Sequence, residues 1–291
     1  MNFKTMNPDE LKKHLPLDLL KRIDKIEKET AQRSKIAPVE KIAAFDLDNT
    51  LLVGDIGDAV FALLRITEKE SGKPLSIHGK AITLTYQEYN DVLKNKGKKV
   101  AYPLMTTAMA GIPKEKLVEI TKEAAYWKST SLEIEGLRIP VPYPNPVMQS
   151  LLFYLKYLGY KVFIISATNQ FSVEWAAKEF FDISPEHVFA MKPSVSYDSM
   201  HGEILGDFID GPITVATGKV DAYNLLVGKV SPLITAGDST TDLEILDITD
   251  PNGLIIWVHE KDEIEESLSF LSKRLSRHTN VYTIDRGLDI L

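Results

Sequence analysis

The feature that most constrains this chain is an apolar run that stops abruptly on acids. Lys41-Ile42-Ala43-Ala44-Phe45 has the length and apolarity of a buried strand, and it ends at Asp46-Leu47-Asp48-Asn49-Thr50. Carboxylates are tolerated at the end of such a strand only where the chain leaves the core for a polar crevice. From residue 147 the same punctuation recurs. Residues 147–158 have a helical period, and Lys161-Val162-Phe163-Ile164-Ile165 is a β-branched strand that stops at Ser166. Helices are predicted over 172–181, 219–227, 242–246 and 262–275, and strands over 188–190, 233–236 and 254–258. Residues 195–206 read as a hairpin that turns through 198–202. Alternating strands and helices predict an α/β fold, a Rossmann-like parallel sheet with helices on both faces.

The remainder of the 291 residues is organised differently. Residues 1–40 carry Leu11, Leu15, Leu19, Leu20, Ile23 and Ile26 at helical spacing, an amphipathic segment expected to pack on something larger. Residues 55–146 contain helical patterns over 58–64, 82–93 and 114–127, with no further strand as apolar as the first. The basic run 94–99 reads as a solvated loop, and the proline-rich stretch 141–146 as a stiff linker. The expected division is a helical segment over 1–40, a discontinuous core of 41–54 and 147–291, and a mainly helical insert over 55–146.

Composition removes several classes. The chain has no cysteine, which excludes disulfide scaffolds, thiol nucleophiles and cysteine metal sites. A net charge of −7 opposes a main role in binding nucleic-acid backbone. No apolar run reaches the roughly 18–20 residues that span a bilayer, and no apolar signal core follows Met1. A soluble cytoplasmic protein is the expectation.

In open α/β sheets, ligand sites form beyond the carboxyl ends of the strands. Here those ends carry Asp46 and Asp48, then Ser166, then Gly237-Asp238-Ser239-Thr240-Thr241-Asp242, while Lys219 opens a helix between the last two. A single Asp-x-Asp usually does no more than cap a helix. Four acids, a hydroxyl and an ammonium converging on one crevice need a cation among them. With no histidine or cysteine in the set, the donors are hard oxygens, and Mg2+ is the natural guest.

In these residues the sequence resembles the haloacid dehalogenase superfamily. Its four motifs occur in order as Asp46-Leu47-Asp48-Asn49-Thr50, Ser166, Lys219 and Gly237 to Asp242. The stretch with Ala190-Met191, Asp210-Gly211-Pro212, Gly218-Lys219 and Gly237-Asp238-Ser239 is similar to the phosphoserine phosphatase branch, with phosphocholine phosphatases beside it. The 120 residues between Asp46 and Ser166 leave room for a helical cap after the first motif. The resemblance implies a Mg2+-dependent phosphatase. Asp46 would be the nucleophile that forms an aspartyl-phosphate, and Asp48 the general acid and base. Ser166 and Lys219 would bind the phosphoryl group. Asp46, the backbone carbonyl of Asp48 and Asp238 would hold the metal, with Asp242 behind them. Asp48 is expected to have the higher pKa of the two leading acids.

The substrate is expected to be a small phosphomonoester, with phosphoserine, phosphocholine and phosphoethanolamine as amine-bearing examples. Asp55 or Asp58 would meet the cationic nitrogen, helped by some of Tyr86, Tyr89, Tyr102, Tyr126, Trp127 and Tyr143. Ser166-Ala167-Thr168-Asn169 lacks the two glycines that follow the serine in typical phosphoserine phosphatases, which tilts the expectation slightly toward phosphocholine or another small amine phosphate. The competing expectations are a phosphotransferase or phosphomutase of the same superfamily, and a non-catalytic binding protein on this scaffold.

Overall fold

In the computed structural model, residues 3–260, 270–271, 274–275 and 277–287 are described. Most of the helix predicted over 262–275 lies outside them. The helices are α1 (Pro8–Lys12), α2 (Leu17–Arg33), α3 (Ile56–Ser71), α4 (Tyr86–Lys96), α5 (Lys98–Ala108), α6 (Lys114–Ala125), α7 (Pro146–Tyr157), α8 (Gln170–Phe181), α9 (Thr217–Val227) and α10 (Leu243–Asp247). The strands are β1 (Ile42–Phe45), β2 (Leu52–Val53), β3 (Ser131–Ile134), β4 (Leu137–Pro140), β5 (Tyr143–Pro144), β6 (Lys161–Asn169), β7 (Val188–Met191), β8 (Pro193–Asp198), β9 (Gly202–Ile209), β10 (Ile234–Gly237), β11 (Leu254–His259) and β12 (Val281–Asp285).

Six strands form one parallel sheet in the order β12-β11-β10-β1-β6-β7. Its two faces follow from the two-residue period of a strand. Ala43 and Phe45 pack with α2, α7 and α8, whereas Ile42 and Ala44 pack with Ala222 and Tyr223 of α9 and Ile245 of α10. Strands buried on both sides must be apolar throughout, as β1 and β11 are. β1 lies between β10 and β6, so Asp46, Ser166 and Asp238 emerge side by side at one edge of the sheet.

The first forty residues pack on this core. Leu11, Leu15, Leu19, Ile23 and Ile26 are buried in it, each side chain contributing about 1.5–3 kcal/mol by leaving water. Arg33 pairs with Asp250 at 2.8 Å and fixes the end of α2.

The insert departs from the sequence expectation in four ways. It contains strands, since β3 and β4 form a hairpin whose two turn residues, Glu135 and Gly136, both have positive φ (51° and 79°). That backbone is a type I′ turn, for which Asn-Gly is the usual signal, and Glu-Gly hides it. The stretch 141–146, expected as a stiff linker, is instead partly a strand, because β5 pairs antiparallel with β2 and binds the two crossings into a neck. The run 94–99 is not a solvated loop, since α4 continues to Lys96 and α5 begins at Lys98, with only Gly97 (φ 77°) between them. The predicted helix over 82–93 starts later, at Tyr86, where Thr85 and Glu88 form a capping box. Apolar side chains of α3 to α6 merge with those of the sheet face into one continuous core. Among the described residues, no helix is long and apolar enough to cross a membrane.

Candidate active site

The loop after β1 turns sharply. Asp48 keeps an extended backbone, and Asn49 adopts φ 59° with its N–H bonded to the Gly54 carbonyl at 3.0 Å. The turn brings Asp46 and Asp48 into the same cleft, which is also lined by Asp55, Lys98, Tyr102, Ala167, Thr168, Lys219, Asp238, Ser239 and Thr241. The free volume of this cleft is about 20 Å³, room for a water molecule and no more.

Lys219 is the electrostatic centre. Its ammonium, 2% exposed, donates to Asp46 Oδ1 at 2.6 Å and to Asp242 Oδ1 at 2.5 Å. Backbone geometry places it there. A Cβ on Gly218 would sit 1.7 Å from the Ile213 carbonyl oxygen, so only glycine lets the chain pass at that point. Burial alone would lower the lysine's pKa, but Asp242 and Asp46 outweigh it and hold the ammonium charged.

Asp242 is saturated. Its Oδ2 accepts from the N–H groups of Asp238 (3.3 Å) and Ser239 (3.0 Å) and from the Ser239 hydroxyl (3.0 Å). Burial pushes its pKa up, and Lys219 with those donors holds it below the ordinary carboxylate value. A Cβ on Gly237 would come within 2.6 Å of Asp242 Cβ, which explains the glycine before Asp238.

Asp46, Asp238 and Asp242 each offer an oxygen within 4.8 Å of the others, the one such cluster among the described residues. Burial first, then the neighbouring carboxylates, lifts Asp46 to about 6 and Asp238 well above the usual range. Crowded acids of that kind are relieved by a hard cation, and the all-oxygen donor set fits Mg2+. With Asp242 committed to Lys219 and its own loop, Asp46 and Asp238 have oxygens to spare.

Asp48 is fixed by three donors. Its Oδ1 accepts from the Ile56 N–H at 2.7 Å, and its Oδ2 accepts from the hydroxyls of Thr168 (2.8 Å) and Ser166 (3.3 Å). Ser166 and Thr168 converge on one carboxylate oxygen where the pairing of β6 becomes irregular, and there the Thr168 N–H also donates to the Ser166 hydroxyl at 3.1 Å. Burial, then the charges of Asp55 and Asp46, raises Asp48 well above the carboxylate range. A proton resident on Asp48 has a partner, because a hydroxyl can accept as readily as donate. Ser166 is fully buried with its hydroxyl turned to Asp48, while Thr168 lines the cleft wall.

Asp55 caps α3 by accepting from the Asp58 N–H at 3.0 Å, and it also lines the cleft. Asp55, Asp58, Tyr86, Asn90 and the β4 edge line a second chamber of about 270 Å³. Tyr89 donates to Asp58 Oδ1 at 3.0 Å. Burial, then Asp55, raises Asp58 to about 8, and burial raises Asp55 as well.

Of the six aromatic candidates, only Tyr102 lines the catalytic cleft. Tyr89 packs edge-on with Phe61 and Tyr86, Tyr86 packs tilted on Phe61, and Tyr126 packs on Trp175 and Phe180. Trp127 lies against the core, and Tyr143 is exposed on the neck. Sequence reasoning missed Lys98, Thr168 and Arg286. Lys98 and Tyr102 stand one turn apart on α5, with the ammonium 6.0 Å from the ring centre. Its four-residue spacing from Tyr102 was the available signal, masked by the neighbouring lysines. Arg286 donates to Asp238 Oδ2 at 3.2 Å.

The sequence matches the family model described as haloacid dehalogenase-like hydrolase over residues 43–247. No curated protein matches it. A protein of unknown function from Bordetella pertussis Tohama I superposes with a TM-score of 0.58 at 18% identity, covering 86% of this chain and 100% of that one. A functionally unknown protein from Anaerococcus prevotii DSM 20548 superposes with a TM-score of 0.55 at 16% identity, covering 84% and 85%. A substrate-bound phosphoserine phosphatase complex overlaps more loosely, with a TM-score of 0.49 at 14% identity over 84% and 93%. The first two likenesses are of fold.

Proposed function

Because the chain belongs to the haloacid dehalogenase-like hydrolases, we propose that it is a Mg2+-dependent phosphatase acting on a small amine-bearing phosphomonoester, with residues 55–146 as the cap that closes over the substrate. The observation that carries this reading is the pairing of Asp46 with buried Lys219 at 2.6 Å, beside an Asp48 held by three donors.

An Asp46 oxygen attacks phosphorus, and the bond to the leaving oxygen breaks. Asp48, with its raised pKa, gives its proton to that oxygen. The deprotonated Asp48 then takes a proton from water, which attacks phosphorus and releases Asp46 and phosphate. Lys219 holds Asp46 in line and offsets the charge of the phosphoryl oxygens, with Ser166 and Thr168 beside them. Asp46, Asp238 and the backbone carbonyl of Asp48 would hold Mg2+, which would supply the charge neutralisation that lets an anionic nucleophile meet an anionic phosphate. The free volume of about 20 Å³ is small for a phosphomonoester, which supports a cap that would open to admit the substrate and close over it.

Asp55 and Asp58 support the amine. Two adjacent carboxylates, both lifted by burial, gain from an ammonium between them. Quaternary amines are favoured less, because the one aromatic ring in the cleft already carries the Lys98 ammonium near its face. A leaving group with both an ammonium and a carboxylate, as in phosphoserine, would use Asp55, Asp58 and Lys98 together.

The test compares phosphoserine with glycerol phosphate. Burial, then Asp55, raises Asp58 to about 8, and an ammonium binds its ionised form. The KM for phosphoserine should therefore fall by on the order of tenfold from about pH 6.5 to about pH 8.5. Asp58→Asn should flatten that slope, and glycerol phosphate should show none of it. Parallel slopes for both substrates, or for the variant, would remove the amine assignment.

A further inference from the structure

Arg286 lies beyond the stretch that matches the family, one residue past the end of β12. β12 adds to the edge of the sheet by pairing in parallel with β11 over five residues, and the Arg286 N–H extends this pairing to the His259 carbonyl at 2.7 Å. From that anchor the side chain, 14% exposed, turns inward. Its Nη2 donates to Asp238 Oδ2 at 3.2 Å, its Nε to the Asn49 carbonyl at 3.0 Å and its Nη1 to Glu260 at 3.1 Å. Asn49 directly follows Asp48 and occupies the positive-φ turn that sets the Asp46–Asp48 loop. One planar guanidinium therefore ties the loop after β1 to the loop after β10, the two loops that bring Asp46 and Asp238 together.

We infer that Arg286 is a positioning residue for the divalent cation, fixing Asp238 through Oδ2 so that its other oxygen would stay available to the metal. This rests on the reading of Asp46 and Asp238 as metal ligands given above. Two properties of the contact point the same way. The guanidinium takes Oδ2, and among the described residues no side chain or backbone group donates to Oδ1. Its rigid fork reaches a carboxylate and a carbonyl at once, which a lysine ammonium on a flexible stem does less well. Partners of a ligating carboxylate commonly change metal affinity by 10–100-fold when removed. The positive charge of Arg286 also repels the cation, so the direction of the effect separates positioning from simple electrostatics.

The experiment is Mn2+ titration of the full chain without substrate, following the free-ion electron paramagnetic resonance signal. It compares wild type, R286A, R286Q, R286K and D238N at a temperature where circular dichroism shows each to be folded. The expected result is at least about tenfold weaker binding by R286A and R286Q, partial recovery in R286K, and the weakest binding in D238N. If R286A does not fold, R286Q reads the same interaction with most of the side chain's length retained. Binding by R286A or R286Q within twofold of wild type, or tighter, with D238N weakened, overturns the inference alone. Binding by D238N within twofold of wild type overturns the metal-ligand reading and the inference with it.

Discussion

Replacing Asp46 by asparagine is expected to lower kcat on phosphomonoesters by at least about 10³-fold while the protein stays folded. The amide has nearly the same shape and can turn its oxygen toward Lys219, so the 2.6 Å contact survives as a neutral hydrogen bond. What disappears is the oxygen that attacks phosphorus. Stability should change little, since Asp46 is one of three acids within 4.8 Å and losing its charge relieves repulsion even as it weakens the lysine pair. Phosphate release and a melting curve, measured on the same preparation, check both halves. Wild-type turnover by the variant would remove Asp46 as the nucleophile.

Lys219→Met should be damaging in another way. The ammonium is buried between Asp46 and Asp242, and removing one partner of such a group costs about 3–5 kcal/mol. At about 2 °C per kcal/mol for a chain of this size, melting should fall by roughly 6–10 °C near pH 8. The sign of the pH dependence follows from the acids. Without the lysine, Asp242 loses what holds its pKa down, and Asp46 loses its main opposing charge. Carboxylates raised above their unfolded values bind more protons when folded, so they destabilise as pH rises past those unfolded values. The melting deficit should shrink as pH falls from 8 toward 5. A variant that melts within about 2 °C of wild type at pH 8 would show that Lys219 does not balance these acids.

Five of the six sheet strands were legible because each carries an apolar run, whereas β12, half-buried and mixed in polarity, gave no such run and was missed. The ends of those runs fixed where Asp46, Ser166 and Asp238 would emerge, and a helix start fixed Lys219. The structure brings Asp46, Lys219, Asp238 and Asp242 together and holds Asp48 beside them. The insert was less legible for physical reasons. The β3–β4 hairpin turns on Glu135-Gly136, which carries no strong turn signature. The β2–β5 neck consists of two-residue strands, too short for any period to register. Lys98 sits in a run of lysines whose other members are solvated, and only its position at the start of α5 directs it inward. Thr168 was hidden because the pairing of β6 is irregular between Ile165 and Asn169, and no strand period predicts that its hydroxyl joins that of Ser166 on Asp48. Arg286 is 48 residues from Asp238 and 237 from Asn49, and no local pattern encodes contacts of that range.

The proposed covalent step can be observed directly. Asp48→Asn should slow hydrolysis of the intermediate, whereas a leaving group as good as p-nitrophenolate needs no proton to depart. Rapid acid quench of that variant with phosphorus-labelled p-nitrophenyl phosphate and Mg2+, followed by peptide mapping, therefore reads the intermediate itself. The account predicts label on the peptide that contains Asp46, abolished when Asp46→Asn is added. Label found only in free phosphate at every quench time, or on a residue other than Asp46, would contradict it.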